Sequence, residues 1–447
     1  MRPTADEIIR RVHDEDIMFV RLQFTDIMGI PKNVEIPAER LDDVLDKGVA
    51  FDGSSIEGFV RISESDMYLQ PDLSTFAVFP WSTEGQNGKT ARLICDVIRP
   101  DNQPFEGDPR YVLKRAVTQA EDMGYEMYAG AEAEFFLFRL DDRGRPTVGL
   151  HDQGGYFDLL PVDFGEETRK DILVALERMG FEVEAAHHEV APSQHEIDFR
   201  YGEALHTADN IVTFRFVVKT IATMRGLHAT FMPKPLFGEN GSGMHTHLSL
   251  FENGQNAFYD AGQHPYGLSD AGMGFLGGLI EHIDAITALA NPTVNSYKRL
   301  VPGYEAPVNV SWARSNRSAL IRMPASNTPE TSTRMELRSP DPSANPYLLY
   351  AAILASGLDG IRKGMTPPAA VEENIYELTD AQKREKQIDL LPSDLGEAIR
   401  ALEGDQVVQD ALGEHLLEKY IEAKREEITG YRLNVTRWEL DRYLEYY

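Results

Sequence analysis

Apolar and polar residues alternate with a period of two in four stretches of the chain. These are Glu132-Ala133-Glu134, Glu196-Ile197-Asp198, His245-Thr246-His247-Leu248-Ser249 and Arg334-Met335-Glu336-Leu337-Arg338. In a β-strand, residues i and i+2 point to the same face. Each stretch therefore sets carboxylates, imidazoles or guanidinia on one face and apolar side chains on the other. The apolar faces can pack on a core, and the polar faces carry groups that bind metals and anions. The same periodicity predicts strands at 17–24, 33–36, 74–79, 91–98, 126–138, 181–186, 195–200, 228–232, 244–251 and 333–338. Apolar residues at helical spacing predict helices over 5–15, 109–123, 166–179, 204–226, 269–290, 345–363 and 406–427. Helices and antiparallel strands interleave without a βαβ rhythm, which predicts an α+β fold. Residues 99–109, rich in Pro, Gly and Asp, read as a linker. They divide a small strand-rich domain (1–104) from a larger one (105–447).

Composition narrows the setting. With 447 residues, 42% hydrophobic and 26% charged, the chain has enough apolar material for a large core. No apolar run reaches the ~18 residues of a membrane helix, and residues 1–16 lack a signal-peptide apolar segment. A cytoplasmic protein is expected. Cys95 stands alone, so no internal disulfide forms, and its apolar flanks mark it as strand core. The net charge of -28 argues against nucleic acid as a partner. With 13 Lys against 31 Arg, the acidic surface points to adaptation to high salt.

The polar faces suggest a reaction type. Glu132 and Glu134 side by side repel unless a cation lies between them, and oxygen ligands suit Mg²⁺ or Mn²⁺. Glu189 and Glu196 flank a turn broken by Pro192, so both can return to one place. The glycine-rich run 238–243 leads into His245, a candidate metal ligand. A loop over 297–307 has the character of a lid. Arg314, Arg317, Arg322, Arg334 and Arg338 fall within 25 residues of one another, suited to phosphate or carboxylate, although at least two of them are expected to be scaffold. Together these groups indicate metal-dependent phosphoryl transfer.

Phe51-Asp52-Gly53-Ser54-Ser55, Lys234-Pro235 ahead of Asn240-Gly241-Ser242-Gly243-Met244-His245, and Arg338-Ser339-Pro340-Asp341-Pro342 ahead of Asn345-Pro346 are long, specific motifs. On them, the chain resembles type I glutamine synthetase over essentially its whole length. The resemblance implies a small β-grasp domain, and a catalytic domain with a curved antiparallel sheet flanked by helices. It also implies a homododecamer of two hexameric rings with active sites between adjacent subunits.

The resemblance further implies roles for individual residues. Glu134, Glu189 and Glu196 match the ligands of a first metal, and Glu132, His245 and Glu336 those of a second. Asn240, Gly241, Arg299 and Arg338 match glutamate-binding positions. Glu305 matches a flap acid, which also closes on glutamate and takes a proton from the amine. Asp52, lent by a neighbouring subunit, matches the residue that binds and deprotonates ammonium. Arg317 and Arg322 match contacts to the transferred phosphate, and Glu184, His247, Ser249 and Arg334 match the ATP site. Thr331 stands where relatives carry a lysine, a departure that touches one nucleotide contact.

The implied reaction is phosphorylation of the glutamate γ-carboxylate by ATP, then displacement of phosphate by ammonia. The chain is similar to the shorter, non-adenylylated branch: Tyr376 is present, but in the context Asn374-Ile375-Tyr376-Glu377-Leu378-Thr379-Asp380 rather than before a Pro-Pro pair. There Arg61 matches a residue of glutamine feedback inhibition. Activation by 2-oxoglutarate and binding of a PII-type regulator are implied by archaeal members of that branch. Two rival readings are a ligase using another amine on the same fold, and a non-catalytic paralogue. The second predicts broken metal ligands, whereas all six are present.

Overall fold

The computed structural model describes residues 3–57, 66–82, 88–302 and 306–447. Arg61 and Glu305 lie outside these residues. The N-terminal sheet holds β1 (Ile17–Thr25), β2 (Pro31–Pro37), β3 (Val49–Asp52), β4 (Asp66–Val78) and β5 (Lys89–Ile98), in the order β2-β1-β5-β4-β3. β1 and β5 run parallel, and the other neighbours antiparallel. The helix Ala5–Asp14 begins at a Thr4–Glu7 capping box and buries Ile8 and Val12. Cys95 is buried in β5, as expected.

The larger sheet holds β6 (Glu126–Leu140), β7 (Pro146–Leu150), β8 (Val183–His188), β9 (Gln194–Phe199), β10 (Gly202–Glu203), β11 (Leu227–Thr230), β12 (Met244–Glu252), β13 (Gln255–Asn256), β14 (Trp312–Ala313), β15 (Ile321–Arg322) and β16 (Met335–Leu337). Its main path is β14-β15-β16-β12-β6-β9-β8, with β7, β10 and β11 also pairing β6 and β13 pairing β12. Only β14 and β15 run parallel. The fifteen residues of β6 are the axis of the sheet. Ala129, Ala131, Ala133, Phe135 and Leu137 enter the main core, so Glu132 and Glu134 are left facing the other way. Phe136 and Phe138, on the carboxylate side, form a separate small cluster with Ala191.

Several predicted elements change. The helix expected over 269–290 is two, Asp270–Glu281 and Ile283–Ala290, bent by 72°. The break falls at His282, whose ring bonds to Asp359 and Asp405. The helix expected over 406–427 divides at Gly413, where φ is +82°. The strand expected over 333–338 keeps only Met335–Leu337, flanked by Arg334 and Arg338. Among the described residues no single helix is long and apolar enough to cross a membrane.

Arg110 ties the sheets together. It opens the helix Pro109–Asp122 and is 3% exposed. Its guanidinium donates two hydrogen bonds to Asp209 on the helix Ala204–Met224, one to Asp72 on β4 and one to Asp96 on β5.

Candidate active site

Strand register explains how distant residues converge. Across the large sheet Glu132 stands opposite His245 on one side and Asp198 on the other. Glu134 stands opposite Glu196, which in turn stands opposite His187. Glu336 stands between His247 and Arg322. The period-two pattern thus becomes three rows of polar groups on one face of the sheet.

Two adjoining cavities share Glu132. The first, about 750 Å³, is lined by Glu132, Glu134, Glu189, Glu196, His245 and Glu336, together with Asn240, Gly241, Arg299, Arg317, Arg322 and Arg338. All six expected metal ligands therefore meet in one place. The second, about 350 Å³, is lined by Glu184, His247, Ser249 and Arg334, with Tyr128, Tyr201, Asn256 and Thr331. Asp52 lies on β3 in the small domain and lines neither cavity.

The electrostatics of the first cavity are strained by excess carboxylate. Glu134, Glu189, Glu196 and Glu336 are each under 10% exposed. Burial pushes the Glu134 carboxyl up, and Glu189 beside it pushes it further. Burial does the same to Glu196, reinforced by Glu134, Asp198, Glu132 and Glu336. Asp198 is raised by burial and Glu132. Glu132 goes the other way: burial raises it, but hydrogen bonds from His245 and His247 outweigh that and hold it well below its ordinary value. Arg334 donates to Nδ1 of His247 at 3.2 Å, so Nε2 of that ring carries the proton given to Glu132 at 2.6 Å.

This donor set fits divalent cations. Glu132, His245 and Glu336 offer three ligand atoms within 4.8 Å of one another, and so do His187, Glu196 and Asp198. Buried carboxylates that repel one another into the protonated range are what a hard cation relieves. Asp198 follows Glu196 by two residues and so shares its strand face, a signal present in the sequence, whereas no sequence pattern sets His187 apart from a structural histidine. Gln194, donating to Glu134 at 2.8 Å, and Tyr201, exposed in the second cavity, also carry no pattern that marks them.

The arginines divide. Arg322 lies 2.8 Å and Arg338 2.9 Å from the Glu336 carboxylate, and Arg317 is exposed at the cavity. Arg314 is exposed and lines neither cavity. Arg299 is 3% exposed and donates to the carbonyls of Arg338 and Ser339. The glycine loop admits it closely: a Cβ on Gly243 would lie 2.5 Å from its guanidinium, and one on Gly241 would lie 2.3 Å from the Pro233 carbonyl. The loop expected over 297–307 starts as a helical turn, Ser296–Arg299. Tyr376 lines the first cavity and donates to the Ala306 carbonyl at 3.4 Å.

Comparison with known proteins agrees with this geometry. The family described as "Glutamine synthetase, beta-Grasp domain" matches residues 16–100, and "Glutamine synthetase, catalytic domain" matches residues 106–443. The chain is 56% identical over 441 residues to glutamine synthetase of Thermotoga maritima, covering 99% of each chain. It is 55% identical over 439 residues to that of Halobacterium salinarum, covering 98% of this chain and 96% of the relative. Among solved structures, a GmaS/ADP complex superposes with a TM-score of 0.88 at 32% identity over 100% of both chains. Glutamine synthetase of Plasmodium falciparum superposes with a TM-score of 0.87 at 26% identity over 99% of both. A cavity of paired carboxylates and arginines, carried on a sheet that matches these relatives from end to end, makes the chain a member of the glutamine synthetase family, the ligases that form glutamine from glutamate and ammonia with ATP.

Proposed function

We propose that the two cavities divide the reaction between them. The first holds two or more divalent cations and glutamate, and the second holds ATP. The observation that carries this is the convergence of six candidate ligands and four arginines on one cavity that adjoins a second through Glu132. Glu134, Glu189 and Glu196 would hold one cation, and Glu132, His245 and Glu336 another, with Mg²⁺ or Mn²⁺ the fitting ions for such oxygen-rich sets. When bound, these ions neutralise the ATP phosphates as Lewis acids.

The side chains of the chain do the rest. Asn240, Gly241, Arg299 and Arg338 orient glutamate so that a γ-carboxylate oxygen attacks the γ-phosphorus of ATP and ADP leaves. Arg317 and Arg322 offset the negative charge of that transfer. Glu184, His247, Ser249 and Arg334 hold the nucleotide. Asp52 and Glu305 take a proton from ammonium, and ammonia then displaces phosphate from γ-glutamyl phosphate. A closed 297–307 segment keeps water from that acyl phosphate.

Because Asp52 lines neither cavity of its own chain, it serves a neighbour's site. The ring assembly this requires is supported by exposed Tyr156, Phe157, Leu159, Leu160 and Phe164, an apolar face beside the first cavity. The assembly is a dodecamer of two six-membered rings, with the domain boundary at residue 104 and a cytoplasmic setting. Arg61 confers glutamine feedback, and 2-oxoglutarate and a PII-type protein act as regulators.

The deciding experiment compares ammonium with putrescine and ethanolamine as nucleophiles, with Mg²⁺ or Mn²⁺ and with and without 2-oxoglutarate. Ammonium is expected to give the highest kcat/KM. Higher turnover with either amine would overturn the assignment of the nucleophile.

A further inference from the structure

Behind the turn that presents Glu189 and Glu196 lies a second, fully buried cluster: Asp152, His188, Ser193 and His195, each at most 3% exposed. Atoms of Asp152, His188 and His195 lie within 4.8 Å of one another, a spacing that would suit a metal. The hydrogen bonds rule that out. Arg169 donates to Nδ1 of His195 at 2.8 Å, and a guanidinium only donates. Nδ1 must therefore hold the lone pair and Nε2 the proton, so the nitrogen left to face a metal cannot ligate one.

The cluster has a different logic. Ser193 sits in the turn between β8 and β9 with φ +66°, a left-handed conformation uncommon for serine. What holds it there comes from residues 151 and 152. The backbone N–H groups of His151 and Asp152 donate to Ser193 Oγ at 2.8 and 3.1 Å. In return, the N–H of Ser193 donates to Asp152 Oδ1 at 2.8 Å. The same oxygen lies 3.0 Å from Nε2 of His188, whose Nδ1 lies 2.7 Å from the Glu189 carbonyl. One carboxylate thus fixes both ends of the turn, at His188 and Ser193. The remaining edge is fixed by Asp163, which accepts two bonds from Arg169, the residue that holds His195. The packing leaves no slack: a Cβ on Gly154 would fall 2.7 Å from His188 Nε2.

We infer that Asp152 is a positioning residue for divalent-cation binding: through Ser193 and His188 it fixes the turn from which Glu189 and Glu196 reach the cavity. This rests on the proposed assignment of those two carboxylates as ligands. Buried carboxylates that resist one another spread apart when their support loosens, so the preset arrangement shows as affinity for the cation, while catalysis by a fully loaded site persists.

The test is Mn²⁺ binding to the nucleotide-free, full-length protein, read by loss of the free-ion electron paramagnetic resonance signal. Asp152→Ala is expected to weaken Mn²⁺ binding by about 10-fold to 100-fold. Its kcat at saturating metal should stay within about twofold of the parent, and its far-UV circular dichroism should be unchanged. Ser193→Ala removes the hydroxyl without touching a charge. It is expected to weaken binding in the same direction, and it carries the test if Asp152→Ala does not fold. Glu196→Gln is the control for the assignment itself. If it leaves the number of bound Mn²⁺ ions unchanged, the ligand assignment fails. If it removes an ion while folded Asp152→Ala and Ser193→Ala bind Mn²⁺ as tightly as the parent, the positioning role alone is overturned.

Discussion

Replacing Arg110 by methionine tests the buried ion-pair network that joins β4 and β5 to the helices Pro109–Asp122 and Ala204–Met224. Methionine keeps the apolar stem and removes the charge, so Asp209, Asp72 and Asp96 lose their shared partner. Asp209 is 4% exposed and is removed from water. Breaking a buried ion pair from one side costs about 3–5 kcal/mol. The side chains of Asp72 and Asp96 are 23% and 28% exposed and add less, because water screens part of their loss. Burial pushes the Asp72 carboxyl up, but Ser74 and Arg110 together hold it down at about 2, so some of that stabilisation is real. The expected loss is about 4 kcal/mol. It can be read by urea unfolding followed through the fluorescence of Trp81 and Trp312, one beside the small sheet and one in the large sheet. The sign of its pH dependence is also fixed. Because Arg110 helps hold Asp72 at about 2, below its unfolded value, the Asp72 share of the loss is full above about pH 4 and shrinks as pH falls towards about 2. Arg110→Lys keeps the charge but not the fork, and should recover part of the loss. A loss under about 1 kcal/mol at neutral pH, or one that grows on acidification, refutes this account of the domain junction.

Glu336→Ala should lower glutamine formation by more than about 100-fold while leaving sedimentation unchanged, and near-normal turnover would dismiss its place among the ligands. His282 lies between Asp405 at 2.7 Å and Asp359 at 3.2 Å. Burial pushes its imidazole down, but these carboxylates outweigh that and hold it above its ordinary value. Lys363 competes for Asp359 at 2.7 Å. A raised folded value means the pair stabilises fully below about pH 6.5 and loses that contribution as pH rises through the folded value. Thermal midpoints of the parent should therefore fall over that range more steeply than those of His282→Gln, and parallel curves would rule the pair out. The net charge of -28 predicts that the thermal midpoint rises with KCl well beyond the concentration that screens at about 10 Å, and a midpoint already flat in dilute buffer would argue against halophilic adaptation.

The site was legible wherever chemistry coincided with strand periodicity. Glu132, His245 and Glu336 sit on strands whose alternation sets apolar residues into the core, so burial of Ala133 or Leu337 fixes where the polar neighbours point. Less was legible where position depends on partners far away in sequence. His282 looks like part of one continuous helix until Asp359 and Asp405 are in place to break it. Arg299 reads as part of a loop, yet its donors go to main-chain carbonyls at 338–339. Asp152 carries no pattern at all, because its meaning comes from a turn some 40 residues later. Short pieces such as β14 and β15, two residues each, are defined by register with neighbours and leave no periodic trace.

β6 also sets an order of events during synthesis. Its partners are drawn from segments as late as residue 252, and β16 joins through β12 only after residue 337 has been made. A nascent chain arrested before β16 has Glu132 and Glu134 in hand but not Glu336, and exposes the β12 edge that β16 later covers. Unpaired edges of this kind recruit other chains. The sheet thus stays half-built, with an open edge, while residues 253–337 are being made, and slow translation or a chaperone has the most to change in that interval.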